Sequence, residues 1–180
     1  MPNAAQMLRE DHRRIQRMFK QFEKLQDSAA KKALVDAVTV ELTVHSMLEE
    51  EIFYPAVRRN GLDADLMDEA AEEHHVADVI MDELAKMSST NDAFGAKFTV
   101  LMENVNHHIG EEESEMLPKA ERIGAALMSE LGTKMAARRD ELIESNGQRT
   151  SAGPAERRSP GARASGKKTD RSRTVARSRK

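Results

Sequence analysis

Two segments of the chain begin with His, carry Glu four residues on and reach Pro ten residues on: His45–Glu49–Pro55 and His108–Glu112–Pro118. All three positions repeat at an offset of 63. A His and a Glu four apart stack on one face of a helix, one turn from each other. Two such faces turned together aim two imidazoles and two carboxylates at one point, a donor set suited to a divalent metal. The chain contains no Cys. Disulfides, iron–sulfur clusters and thiol catalysis are therefore excluded, and any metal must be held by nitrogen and oxygen.

The repetition extends to two further histidines. From His12, apolar residues follow at Ile15, Met18, Phe19, Phe22 and Leu25; from His74, 62 residues later, the same steps reach Ala77, Ile80, Met81, Leu84 and Met87. This pattern selects His74 over His75, whose corresponding positions are the polar Asp78 and Asp82. The Pro spacing selects His108 over His107. His75 and His107 should point about 100° away around their helices. The candidate ligands are thus His12, His45, Glu49, His74, His108 and Glu112. A structural zinc site takes four ligands and stops there. Six donors with two carboxylates suit a dinuclear centre better, with iron as the expected metal.

Positioning these residues requires helices, and the periodicity supplies five. They are expected over residues 3–26 (Asn3 as N-cap), 28–59 (closed by Asn60-Gly61), 63–87, 92–122 and, shorter, 125–144. Pro55 should loosen the turn it enters. Short connections make neighbouring helices antiparallel, so the expected fold is all-α, an up-down-up-down four-helix bundle with a short fifth helix. Four-helix bundles build metal sites in their cores from side chains on facing helices. The recurring Met residues (Met18, Met47, Met67, Met81, Met102, Met116) read as core filler. Tyr54, the lone tyrosine, matches Leu117 of the second repeat and reads as packing near the bundle end, with a redox or hydrogen-bonding role near the metals as the alternative.

This constellation resembles the hemerythrin family, in particular its bacterial HHE cation-binding branch, over about residues 5–145. The resemblance implies a non-haem di-iron centre, oxo- or hydroxo-bridged, with the six residues above in the ligand roles and Glu49 and Glu112 as bridges. It also implies a protein that binds or senses dioxygen, nitric oxide or peroxide, in oxidative or nitrosative stress or in iron handling. The alternative is a di-iron enzyme that decomposes peroxide or reduces nitric oxide. One departure stands out. Oxygen-carrying members have a second His four residues after the first in the third helix, where this chain has Asp78. Asp78, a water, or a neighbouring acid (Glu50 or Glu113) could fill that place. A ferritin-like carboxylate site needs two Glu-x-x-His motifs. Only Glu72-x-x-His75 is present, and its His is the wrong neighbour.

The net charge of −3 hides an asymmetry. Residues 146–180 hold eleven Lys/Arg and two acids, and are rich in Gly, Ser, Ala and Pro; residues 1–145 are correspondingly acidic. The first 145 residues are expected to form the metal-binding domain. The last 35 form a basic tail expected to be disordered, because it cannot bury enough apolar surface to offset its ordering entropy. Such a tail could contact nucleic acid or another acidic surface non-specifically. No secretory leader and no apolar run of spanning length is evident, so a soluble cytoplasmic monomer is expected.

Overall fold

The computed structural model describes residues 3–151, with side chains as far as Ser145. Its helices are α1 (Ala4–Phe22), α2 (Ser28–Leu48), α3 (Tyr54–Arg59), α4 (Ala64–Lys86), α5 (Ala93–Glu111), α6 (Leu117–Ile123) and α7 (Ala125–Ser151). Helices α2 and α3 are one rod joined by a π-helical turn over Glu49–Phe53, and α5 and α6 are another joined over Glu112–Met116. Four rods therefore make the up-down-up-down bundle, and α7 packs across α1 and α2.

The boundaries follow local chemistry. The Asn3 side chain accepts from the Gln6 N–H at 3.1 Å, as an N-cap should. Asp27 caps α2 in the same way through the Ala30 N–H at 2.7 Å. Gly61 closes the second rod at φ 89°, and Gly124 separates α6 from α7 at φ 148°, both regions that disfavour a side chain. Helix α1 ends at Phe22, short of the expected residue 26, because tighter bonds from Lys24 to Gln21 and Leu25 to Phe22 take over. Helix α7 runs past the expected residue 144 to Ser151. The remainder of the expected tail, 152–180, lies outside the described residues.

Both π-helical turns end two residues before a proline. Pro55 and Pro118 lack an N–H, and the ring crowds the carbonyl four residues back, so a regular α turn cannot close there. Instead the Tyr54 N–H reaches Glu49 O and the Leu117 N–H reaches Glu112 O, each five residues back. One extra residue in the turn rotates everything after it by about 100°. Without it, Tyr54 would lie about 180° around the rod from His45; with it, about 80°. Tyr54, Phe53 and Val57 accordingly face inward and are buried.

The core has two apolar layers. One contains Ile15, Phe19, Leu42, Phe94, Phe98 and Val105; the other contains Leu8, Leu48, Phe53, Met67, Leu117 and, from α7, Leu131 and Met135. Met67, Met81, Met102 and Met116 are buried, while Met18 and Met47 pack partly buried against the layers, as filler should. Among the described residues, no helix is long and apolar enough to cross a membrane.

Candidate metal centre

Between the two layers lie seven buried polar residues: Asp11, His12, His45, Glu49, His74, His108 and Glu112. All six candidates expected from the spacing are among them. They form two donor groups, one of His12, His45, Glu49 and Glu112 and the other of Glu49, His74 and His108. Glu49 belongs to both. Its Oε1 lies 3.3 Å from His45 Nε2, and its Oε2 lies 3.3 Å from His74 Nε2. Glu112 Oε2 is likewise 3.2 Å from His12 Nε2 and 3.7 Å from His108 Nε2. Each glutamate thus sits between the His of its own rod and the His of another.

These atoms are poorly satisfied by the protein itself. His12 Nε2, His45 Nε2, both Glu49 oxygens and Glu112 Oε2 are buried without a hydrogen-bond partner. Leaving such groups unpaired costs roughly 1–3 kcal/mol each, more when charged. Donor separations of 3.2–3.3 Å match the edge of a coordination shell whose metal–ligand distances are about 2.0–2.2 Å. The residues present therefore fit a metal, and imidazole with carboxylate suits iron and similar divalent ions.

An outer ring of carboxylates fixes the imidazoles. Glu113 lies 2.9 Å from His12 Nδ1, Glu50 2.9 Å from His74 Nδ1, and Glu73 2.9 Å from His108 Nδ1. Asp11 is 3.6 Å from His45 Nδ1. Glu113, Glu50 and Glu73 can accept the Nδ1–H and leave Nε2 facing inward, whereas Asp11 stands beyond hydrogen-bond reach of His45 Nδ1, which has no hydrogen-bond partner among the described residues. Glu50 and Glu113, expected as possible extra ligands, are placed on these outer nitrogens instead. Asp11 and Glu73 are not among the residues expected from the sequence, although the duplication marks them: each directly precedes an inward His, at the same offset of 62. Neighbouring residues diverge by about 100°, so each acid serves the His of the next rod rather than its own neighbour.

Charge in the cluster is strongly coupled. Burial pushes the Asp11 carboxyl up, but His45 and Arg139 outweigh it and bring it down to about 2. Arg139 Nη1 donates to Asp11 Oδ1 at 2.9 Å, and Arg14 also pairs with Asp11. Burial likewise opposes charge on His74, yet Glu49 and Glu50 raise it to about 10. His12 is raised by Glu112, Glu49 and Glu113 against its burial. Glu112 is held well below the ordinary carboxylate range, its burial overcome by His12, His108 and His45.

Tyr54 takes a role that packing alone did not predict. Its hydroxyl donates to Glu112 Oε1 at 2.9 Å, and its ring lies nearly parallel to His74 with centroids 6.0 Å apart. Burial, then Glu49 and Glu112, push the phenol well above its usual value, so it stays a proton donor. Asp78 is not gathered in. It belongs to neither donor group, is exposed on α4, and lines an open groove with Glu50, Tyr54 and Arg58. His75 is exposed as expected, and His107 is 63% exposed at its side chain.

The model of the hemerythrin HHE cation-binding domain matches residues 3–120. The chain is 28% identical over 118 residues to the uncharacterized protein Rv2633c of Mycobacterium tuberculosis, covering 64% of this chain and 71% of the relative. The Mycobacterium bovis protein Mb2666c matches to the same extent. Among solved structures, a hemerythrin HHE cation-binding domain-containing protein from Mycobacterium kansasii, an Rv2633c homologue, superposes with a TM-score of 0.75 at 25% identity, covering 85% of this chain and 94% of that one. With its bundle and its paired His/Glu groups, the chain belongs to the hemerythrin HHE cation-binding family.

Proposed function

We propose that the six buried residues hold two non-haem irons, and that the protein binds or senses a small oxidant (dioxygen, nitric oxide or peroxide) in stress or iron handling. The observation that carries this reading is Glu49, whose two oxygens each approach a His of a different donor group. A carboxylate so placed can serve two ions at once, as Glu112 can from the opposite side. Bound iron would supply ligand binding and one-electron redox change.

The chain's own part is to orient and to exclude. Glu113, Glu50 and Glu73 hold the rings of His12, His74 and His108 with Nε2 inward, and Asp11 lies beside the fourth, His45. An enclosed cavity of about 20 Å³ adjoins His45, His74 and His108, walled by Ile15, Leu42, Ala77, Met81, Val105 and Ile109. A space of that size admits about one water-sized molecule. Ser46, Glu73 and Asn104 complete a lining that is otherwise apolar, and so small a space has no room for an extended substrate, which supports a diatomic or peroxide ligand.

The Tyr54 hydroxyl favours a second reading, an enzyme that decomposes peroxide or reduces nitric oxide, because its O–H, hydrogen-bonded to Glu112, can steady negative charge developing at the centre. Steady-state turnover by iron-loaded protein separates the two. Binding spectra without sustained peroxide or nitric oxide consumption support the sensor. Sustained consumption that Tyr54→Phe lowers by about tenfold or more, with iron content unchanged, supports the enzyme.

A further inference from the structure

We infer that Glu73, His107 and Glu111 form a third, outer site for a divalent cation, set against the buried centre on the α4–α5 side of the bundle. His107 Nε2 lies 3.3 Å from Glu111 Oε1 and 3.6 Å from Glu73 Oε1, and the three side chains offer donors all within 4.8 Å of one another. These separations are near the coordination-shell edge that distances of about 2.0–2.2 Å imply. His107 and Glu111 make a third His-x-x-x-Glu pair, one residue out of register with His108 and Glu112. The set is one imidazole and two carboxylates, chemistry suited to zinc, manganese or iron in the divalent state.

The two halves of the duplication differ at this point. Asp11 is the counterpart of Glu73, since each precedes an inward His and lies against the next rod's imidazole. In the first half, Asp11 is neutralised from outside by Arg139 of α7 and by Arg14. The counterparts of His107 and Glu111 at the offset of 63 are Val44 and Leu48, both buried in the layer that α7 completes. Among the described residues, α7 packs chiefly on α1, α2 and α6, away from His107 and Glu111 on α5. The apolar pair is replaced by His107 and Glu111, and the side chains that meet Glu73 are the imidazoles of His107 and His108 rather than a guanidinium. A divalent ion would take the place that Arg139 fills on the other side.

The cluster also communicates with the buried donors. A cavity of about 10 Å³ is lined by Glu69, Glu73, Glu111, His108, Glu112 and Met116. Glu112 is 1% exposed, with an oxygen that lacks a hydrogen-bond partner. An ion held outside by Glu73 would therefore sit one carboxylate away from His108, coupled to the centre through a shared residue.

This inference goes beyond the proposed di-iron reading, because Glu73, His107 and Glu111 share no residue with the two buried donor groups. The test is calorimetric titration of iron-loaded, full-length protein with Zn²⁺, with iron measured before and after, beside the double variant His107→Ala/Glu111→Ala. Both residues are at the surface and hold no buried ring, so iron content should be unchanged by the substitutions. The expected result is one Zn²⁺ equivalent bound without iron loss, weakened at least about tenfold in the double variant. No bound Zn²⁺, or Zn²⁺ bound equally well by the variant, overturns the outer site. A chain that takes up no iron, yet binds one Zn²⁺ that the variant loses, sinks the di-iron reading and leaves the outer site standing.

Discussion

Replacing Glu49 by Ala separates a shared carboxylate from an ordinary buried acid. Its two oxygens each lie 3.3 Å from a His Nε2. With metal–ligand distances of about 2.1 Å, that separation corresponds to a ligand–metal–ligand angle of roughly 104°, within the range that tetrahedral and octahedral shells use. One substitution removes a donor from both groups, leaving His12, His45 and Glu112 in one and only His74 and His108 in the other. Losing even an outer hydrogen-bond partner typically costs 10–100-fold in metal affinity. Losing an inner carboxylate should cost at least the upper end, about 2.7 kcal/mol per ion, or roughly 5 kcal/mol for the pair. The assay is iron content after anaerobic loading and gel filtration with a competing chelator. Glu49→Ala should retain less than about a quarter of the wild-type iron. Glu51→Ala is the control, because Glu51 is exposed and pairs with Arg138 at 2.8 Å. Equal iron loss in the two variants would mean that Glu49 does not face the centre.

Other outcomes test the surroundings. Glu73→Gln and Asp11→Asn should each weaken metal binding about 10–100-fold without abolishing it, read by chelator competition; no change would mean that the imidazoles need no outer partner. In metal-free protein the stability contributed by charged His74 is complete below its ordinary pKa of about 6.5 and lost as pH rises through about 10. A metal must displace that proton, so affinity should rise about tenfold per pH unit for that one proton over the same window. Thermal melts of stripped and loaded protein should therefore diverge as pH rises, and melts that converge contradict the coupling. A chain ending at Ser145 should keep its iron and lose only the helicity of the last turns of α7, since Met128, Leu131, Met135, Arg139 and Leu142 all precede the cut; iron lost on truncation would assign the tail a part in the centre.

Much of this architecture can be read from residue types and spacing. The offsets of 62 and 63 pick out His12, His45, Glu49, His74, His108 and Glu112, and the structure gathers all six. Periodicity works for them because they lie on, or at the end of, regular α-helix, where a four-residue step keeps one face. It fails beyond Glu49 and Glu112, where the π-helical turns rotate the rods and bring Tyr54 toward the centre. Pro55 signals a disturbed turn, but a proline alone does not specify which way the extra residue turns the helix. Asp11 and Glu73 are legible as repeated acids, yet their targets lie on neighbouring rods, a tertiary fact. Arg139 carries no mark at all: it is an ordinary surface-type residue until α7 folds over α1 and α2 and sets it on Asp11. Asp78 shows the converse, a residue chosen by its spacing from His74 that the fold leaves on the exposed side of α4.

Two ions sharing Glu49 and Glu112 can be counted by metal analysis of the full-length protein after anaerobic iron loading. About two irons per chain are expected, with absorption in the near-ultraviolet that changes on adding dioxygen, peroxide or nitric oxide. A chain that retains one iron, or none, contradicts that sharing.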